Sequence, residues 1–195
     1  MEKHLFLTGE KGAGKSALIK SVLGDKLGYA GGYATYGEKS ADCALLGVNL
    51  IPAATFAGIS GYESARILTA KGGKMTSDNE VFRTEGVRLL KESEYYPFTV
   101  LDEFGGFELI IPQFREALLE VLNSDMPCIG VLMTESEGEA LRSALGLGEK
   151  YSAYRRALHT ALENDPDTRI LELTGADDIN ARNAVTQWAN EYAKL

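Results

Sequence analysis

The sequence predicts an α/β fold in which a mainly parallel central sheet of about five strands lies between two layers of helices. Short apolar runs alternate along the chain with amphipathic helical patterns, which is typical of parallel sheets covered on both faces. A glycine-rich loop joins the first apolar run, His4 to Thr8, to the first helical pattern. No repeat, linker or low-complexity tract interrupts the alternation, so we expect residues 1–195 to form a single domain.

The first half of the chain departs once from this alternation. Residues 28–58 carry glycines, tyrosines and short apolar runs, which favour a small β-hairpin insertion after the first helix. The sequence SDNE at residues 77–80 resembles a capping box. It predicts a helix that begins at Ser77 and turns Phe82, Leu89 and Leu90 inward.

The second half of the chain returns to alternating strands and helices. Apolar runs and helical spacing predict, in order, a strand at 98–101, a helix from Pro112, a strand at 128–133, helices over about 136–145 and 150–163, a strand at 169–173 and a last helix with Ala181, Val185, Trp188 and Tyr192 on one face.

Composition narrows the class of protein. A formal net charge of −8 at pH 7 argues against nucleic acids and anionic membranes as partners. Cys43 and Cys128 lack metal-ligand spacing, and their apolar neighbours favour buried free thiols. The chain shows no secretory signal pattern and no 18-residue apolar run. We therefore expect a cytoplasmic protein, and the sequence does not identify a protein partner.

The loop after the first strand carries the clearest chemical signal. Residues 9–16, GEKGAGKS, fit the pattern G-x-x-x-x-G-K-[ST] of phosphate-binding P-loops. Glycines let the backbone curl until its N–H groups point at an anion, and the following helix N-terminus adds its positive dipole end. The residues expected to bind the nucleotide are Gly9, Glu10, Lys11, Gly12, Ala13, Gly14, Lys15, Ser16 and Ala17.

Four side chains have distinct expected roles in a P-loop fold. Lys15 is expected to reach the β- and γ-phosphates and act in catalysis, and the Ser16 hydroxyl to ligate Mg²⁺. The acidic pair Asp102-Glu103 follows the apolar run at 98–101. Asp102 is expected to hold Mg²⁺ directly or through water, and Glu103 to orient or deprotonate a water at the γ-phosphate.

The acidic pair also predicts a strand order. P-loop ATPases with a glutamate at this position commonly place one strand between the loop strand and the acidic strand, and residues 128–133 are the natural candidate. Thr134 then follows at the same edge of the sheet. It would either position the attacking water or cap the next helix together with Glu137.

The chain resembles the small nucleoside-triphosphatases first described from thermophiles, whose vertebrate member is called cancer-related nucleoside-triphosphatase. The resemblance covers the loop and the segments GGYATYGEK, NEVFRTEGVRLL, VLDEFGGFEL and FREALLEVLNSDMPCIGVLM. It implies a P-loop fold and triphosphate binding. The family's acidic motif usually reads DEIGKMEL, whereas residues 102–109 read DEFGGFEL, so Gly106 replaces the family lysine.

Loss of that lysine raises the question of which cation neutralises charge in the transition state. Related P-loop enzymes carry a mobile lid after the equivalent of Thr134, and this segment offers Arg142 and the pair Arg155-Arg156 as fingers in cis. Lys71 and Lys74 are further candidates on a glycine-bearing loop. The preferred interpretation of the arginines is a solvated helix face paired with nearby acids.

These features predict Mg²⁺-dependent binding of ATP, GTP or another nucleoside triphosphate and its hydrolysis to diphosphate and phosphate. Two alternatives stay open. One is a nucleotide or small-molecule kinase, which would pass the phosphoryl group to a hydroxyl acceptor. The other is a nucleotide-gated interaction module with slow hydrolysis. The Asp-Glu pair favours water as the acceptor, because a glutamate beside the metal needs no second substrate.

Overall fold

A computed structural model describes residues 2–58, 65–175 and 177–194. The strands of these residues are β1 (His4–Thr8), β2 (Ala30–Lys39), β3 (Leu45–Pro52), β4 (Ala65–Lys71), β5 (Lys74–Ser77), β6 (Phe98–Phe104), β7 (Cys128–Leu132) and β8 (Thr168–Glu172). The α-helices are α1 (Lys15–Leu23), α2 (Asn79–Val81), α3 (Val87–Glu92), α4 (Pro112–Asn123), α5 (Glu135–Leu145), α6 (Glu149–Asn164) and α7 (Ile179–Tyr192). A π-helical turn, Phe82–Gly86, joins α2 to α3.

The strands of the described residues form one sheet in the order β5-β4-β3-β2-β6-β7-β1-β8. From β2 to β8 all neighbours are parallel, whereas β3, β4 and β5 continue the sheet in antiparallel fashion. The α/β class is confirmed, and the predicted number of about five strands fits the parallel part but is too low for the whole sheet. β7 lies between β6 and β1, as the acidic pair predicted.

The predicted hairpin at residues 28–58 is part of the main sheet. β2 pairs antiparallel with β3, where Tyr33 faces Pro52, and parallel with β6, where Ala34 faces Asp102. The same strand therefore serves both the hairpin and the parallel core. We call β3, β4 and β5 the antiparallel extension.

Side chains of alternating direction bury both faces of the sheet. In β1, Phe6 packs into a core with α3, α4 and α6, while Leu5 and Leu7 pack into a second core with α1 and α7. On the first face Phe114 of α4 meets the ring of Phe82 edge-on at a centroid distance of 4.8 Å. The helices thus form two layers, which is the predicted three-layer arrangement.

Helix boundaries are close to those predicted, with one correction at a cap. Asp78, not Ser77, is the N-cap of α2, and its carboxylate accepts a hydrogen bond of 3.0 Å from the Glu80 backbone N–H. Ser77 is the last residue of β5. An extended residue that pairs in a sheet cannot begin a helix, so the cap moves one position along the chain.

The cysteines also require a correction. Cys128 is buried, and burial raises the pKa of its thiol. Cys43 is exposed, with a backbone φ of 63°, because it lies in the turn between β2 and β3. In the part of the chain that the structure describes, no helix combines the length and the apolar character needed to cross a bilayer.

Candidate active site

The glycine-rich loop lies between β1 and α1 at the carboxyl edge of the parallel strands. Gly14 directly precedes α1 with a φ of 94°, a left-handed conformation that glycine adopts at little cost. Gly9 has a φ of 129°, and a Cβ there would lie 2.5 Å from the carbonyl oxygen of Leu173. Gly9 is therefore required by the close approach of Leu173, which follows β8, and Gly14 is favoured by its left-handed backbone alone.

Lys15 is the first residue of α1, and its side chain is only 7% exposed. Its ammonium group donates hydrogen bonds to the carbonyl oxygens of Gly9, at 2.5 Å, and Glu10, at 3.1 Å. It also lies 3.5 Å from Oε1 of Glu137. The predicted phosphate ligand is thus at the loop, where its charge is balanced by oxygen atoms that phosphate oxygens can replace.

Ser16 and Asp102 meet although 86 residues separate them in sequence. The Ser16 hydroxyl donates a 2.8 Å hydrogen bond to Oδ1 of Asp102. Asp102 is 1% exposed, and its Oδ2 is buried without a hydrogen-bond partner among the described residues. Burial raises its pKa to about 6, against the opposing effects of the Ser16 hydrogen bond and the Lys15 charge. A buried carboxylate with one unpartnered oxygen is well suited to bind a cation.

A serine hydroxyl and a single carboxylate would suit Mg²⁺ better than a metal held by protein side chains alone. No group of three or more His, Cys, Asp or Glu side chains within residues 2–58, 65–175 and 177–194 is arranged to hold a metal. Mg²⁺ usually keeps several waters and binds through one or two carboxylates plus substrate phosphates. The Ser16 hydroxyl and Asp102 would supply the protein's share of such a site.

Glu103 lies next to the loop, at the edge of a cavity of about 270 Å³ that Lys11, Ser16 and Glu137 also line. The Asp102–Glu103 peptide bond is cis. Burial raises the pKa of Glu103 to about 7, and the negative charges of Glu137 and Asp102 add to this effect. The structure therefore brings Lys15, Ser16, Asp102 and Glu103 together, as the two sequence motifs predicted.

Glu137 is a site residue that sequence reasoning assigned only to a helix cap. It forms a capping box with Thr134: its Oε2 accepts from the Thr134 backbone N–H at 3.0 Å, and Thr134 Oγ1 accepts from the Glu137 N–H at 3.2 Å. Its other oxygen, Oε1, faces Lys15. The structure thus supports capping by Thr134, and the pattern T-x-x-E was the available signal. The contact with Lys15 required knowing that β7 pairs with β1.

None of the candidate arginine fingers lines the loop cavity. Arg155 is 6% exposed and donates to the carbonyl oxygens of Gly105 and, at 2.8 Å, Thr134. It therefore ties α6 to the loops after β6 and β7. Arg156 is exposed, and Arg142 pairs with acids of α5 and α6 at 3.0 and 2.6 Å. Neither of these two arginines lines the loop cavity, and nor does either lysine of the β4–β5 turn.

Glu108, from the same motif as the acidic pair, is buried and forms hydrogen bonds with the backbone of the turn after β6. Its Oε1 accepts hydrogen bonds of 2.7 Å from the N–H groups of both Gly105 and Gly106. Burial raises its pKa, although these hydrogen bonds and the charge of Arg155 oppose the shift. The turn after β6 is thus held by two buried side chains, with Glu108 accepting from its N–H groups and Arg155 donating to the carbonyl oxygen of Gly105.

A glycine-rich loop before a helix, facing a serine–aspartate pair at the carboxyl ends of parallel strands, defines a P-loop nucleotide-binding protein. The family model described as NTPase matches residues 4–156, and the chain belongs to this family. The crystal structure of THEP1 from the hyperthermophile Aquifex aeolicus is similar in fold, with a TM-score of 0.61 and 16% identity over 95% of this chain and 98% of that chain. A search of curated proteins finds no match.

Proposed function

We propose that the chain binds a Mg²⁺–nucleoside triphosphate at residues 9–17 and hydrolyses it to diphosphate and phosphate. The observation that carries this proposal is the contact of Ser16 with Asp102, which leaves one buried carboxylate oxygen without a hydrogen-bond partner in the described part of the chain. A serine at the start of the loop helix and an aspartate at the end of a strand are the metal-holding pair of P-loop enzymes.

Phosphate binding is expected to change the contacts of Lys15. The loop N–H groups and the N-terminus of α1 bind the phosphate oxygens, and the Lys15 ammonium exchanges the carbonyls of Gly9 and Glu10 for the β- and γ-phosphates. When bound, Mg²⁺ would neutralise charge that develops on the phosphates. Lys11, which lines the same cavity, adds a second positive side chain near the γ-phosphate.

Glu103 is the residue that would activate the attacking water. In this role its carboxylate accepts a proton from a water in line with the bond to the leaving diphosphate. A base with a pKa of about 7 is well matched to that task near neutral pH. Arg155 is held by backbone carbonyls. The negative charge of the transition state would therefore be stabilised by the loop N–H groups, Lys15 and Lys11.

Phosphate release from ATP, GTP, CTP and UTP, with Mg²⁺ and with EDTA, tests this proposal. The parent protein should release phosphate only with Mg²⁺. Lys15→Ala should lower turnover by about 10²-fold, since it removes a cation aimed at the transition-state charge. Lys20→Ala, an exposed lysine of the same helix, is the matched control and should keep parental turnover. Parental affinity and turnover in Lys15→Ala would contradict the assignment of the loop.

A further inference from the structure

A second cavity, of about 380 Å³, lies directly beside the phosphate site. It shares Lys11, Glu103 and Glu137 with the loop cavity, while most of its other lining side chains are apolar. Cavities of this size, with an apolar wall and a few polar groups at one end, are typical of small-molecule sites. Hydrolysis needs only water beside the γ-phosphate, so the proposed function leaves this cavity unexplained.

Much of the apolar wall of the cavity comes from parts of the fold outside the parallel core. The antiparallel extension supplies Ile67, Leu68 and Met75, and α5 supplies Leu141. Ile67 and Leu68 are buried beneath the cavity in the core of the first sheet face. The apolar surface is therefore a fixed part of the packed structure rather than a chance opening between surface side chains.

Gly106 keeps the cavity open near the catalytic carboxylates. It lines the cavity, and a Cβ at this position would lie 2.8 Å from Oε2 of Glu108 and 3.2 Å from Cε of Met133. Any side chain here would have to extend past these atoms. With glycine in place of the family lysine, position 106 adds no side chain to the cavity wall and leaves Glu108 and Met133 where they are.

We propose that this cavity binds a small neutral alcohol with an apolar body of one or two rings, and that the chain transfers the γ-phosphoryl group to its hydroxyl. The apolar body packs on the extension and α5, and the hydroxyl lies at the end shared with the loop cavity. Glu103, Glu137 and Lys11 line that end, and Glu108 also lines the cavity. Three carboxyl groups beside one ammonium group disfavour an anionic acceptor such as a nucleoside monophosphate.

The transfer rests on the triphosphate binding proposed above and differs from hydrolysis in its acceptor. The alcohol oxygen forms a bond to the γ-phosphorus, and the bond from that phosphorus to the β,γ-bridging oxygen breaks. The electron pair of this bond leaves with the nucleoside diphosphate. The hydroxyl proton passes to the Glu103 carboxylate, and a phosphate monoester is the second product.

The test uses 2-naphthylmethanol as the probe, with Mg²⁺–ATP and the full chain. ³¹P NMR separates naphthylmethyl phosphate from inorganic phosphate, and the probe's own fluorescence reports its binding. Ala144→Trp, an exposed α5 position on the cavity wall, fills the cavity without burying a new group in the core. Ser143→Trp is the matched control, because Ser143 is exposed on the same helix and does not line the cavity.

We expect the parent and Ser143→Trp to form naphthylmethyl phosphate, and Ala144→Trp to lose at least about tenfold of this transfer while ATP hydrolysis without the probe changes less than about twofold. If ATP is hydrolysed but the probe neither binds nor becomes phosphorylated, the acceptor cavity is wrong and the hydrolase proposal stands. Equal losses in both tryptophan variants would also overturn it. Failure of the parent to bind ATP would overturn both proposals.

Discussion

The ammonium group of Lys15 is held by three oxygen atoms, of which only the carboxylate of Glu137 carries a negative charge. A bound γ-phosphate competes with that carboxylate for the same ammonium and is repelled by it. Two charges about 4 Å apart interact by roughly 4 kcal/mol at the effective dielectric of a protein surface, and solvent and Mg²⁺ reduce this further. Glu137 is therefore expected to weaken triphosphate binding.

Glu137→Gln should raise the affinity for Mg²⁺–ATP by about fivefold, which is close to 1 kcal/mol. Glutamine keeps a side-chain oxygen that can accept the Thr134 N–H, so the cap of α5 is largely preserved. Isothermal titration with a non-hydrolysable ATP analogue measures the change. Glu135→Gln, also in the first turn of α5 but exposed, is the control and should bind as the parent does. An unchanged or lower affinity in Glu137→Gln would exclude competition with phosphate.

Residues of contiguous motifs could be predicted from sequence, and residues that act through distant partners could not. The loop and the Asp102-Glu103 pair can be recognised in the sequence because each motif is local and its chemistry follows from residue type. The roles of Glu137 and Arg155 depend on which strands are neighbours and on backbone carbonyls. A carbonyl has no signature in the sequence, so an arginine that binds carbonyls looks the same as one that binds phosphate.

Burial of His4, in the first strand, makes the stability of the protein depend on pH. Its Nε2 lies 3.1 Å from the Leu122 carbonyl oxygen and donates to it, while Nδ1 is buried without a hydrogen-bond partner among the described residues. Burial and the Lys3 charge lower the pKa of His4, and the charges of Asp165 and Asp167 oppose this more weakly. The unfolded chain binds the proton more readily than the folded one. The contribution of His4 to the free energy of unfolding is therefore fully present above pH 6.5 and is lost as the pH falls below this value.

His4→Gln should remove this part of the pH dependence. The free energy of unfolding of the parent should fall more steeply between pH 6.5 and 5 than that of the variant, by up to about 1.4 kcal/mol per pH unit, because only the parent has an imidazole to protonate. Urea unfolding at several pH values measures both slopes, and acidic groups common to the two proteins cancel in the comparison. Parallel slopes would show that His4 titrates normally in the folded state.

At the scale of elements, Arg155 joins α6 to the ends of two strands. Its guanidinium reaches the carbonyl of Gly105, after β6, and those of Met133 and Thr134, after β7. Gly138 of α5 makes room for it, since a Cβ there would lie 2.0 Å from Cζ of Arg155. The segment that sequence reasoning treated as a mobile lid is therefore attached to the strand ends by Arg155, in addition to the apolar packing of Leu158 and Leu162.

Arg155→Ala should therefore lower the free energy of unfolding by about 2–4 kcal/mol, since it leaves buried carbonyls without their charged donor. Arg156→Ala, the exposed neighbour, should change it by less than about 0.5 kcal/mol. Chemical denaturation of both variants measures the difference. Gly138→Ala should also destabilise the protein by displacing the guanidinium. If Arg155→Ala keeps full stability and loses only turnover, Arg155 is a catalytic arginine finger and not a structural residue.

The antiparallel extension was only partly predictable because its strands carry weak patterns. β5 has four residues, and three of them are exposed, while β4 has two buried residues among seven. Strands buried on one side and rich in polar residues do not give the continuous apolar runs that mark the parallel strands. The hairpin of β2 and β3 was predictable, whereas its inclusion in the main sheet depends on pairing between β2 and β6.

At the scale of the whole molecule, the alternation of strands and helices predicted the fold class, and two motifs predicted the strand order. The loop after β1 and the acidic pair near the end of β6 predicted one strand between β1 and β6, and β7 occupies that place. The NTPase family match over residues 4–156 includes both motifs and stops within α6. We infer that the nucleotide binds at the loop and that Glu103 activates the water that attacks its γ-phosphate.

The measurement that tests this claim most directly compares binding and hydrolysis in Glu103→Gln. Glutamine keeps the size and hydrogen bonding of the side chain and removes the base. Mg²⁺–ATP affinity should stay within about threefold of the parent, while single-turnover hydrolysis should fall by about 10²-fold or more. Glu135→Gln is the control and should hydrolyse ATP at the parental rate. A parental rate of hydrolysis in Glu103→Gln, at equal nucleotide saturation, would contradict the account.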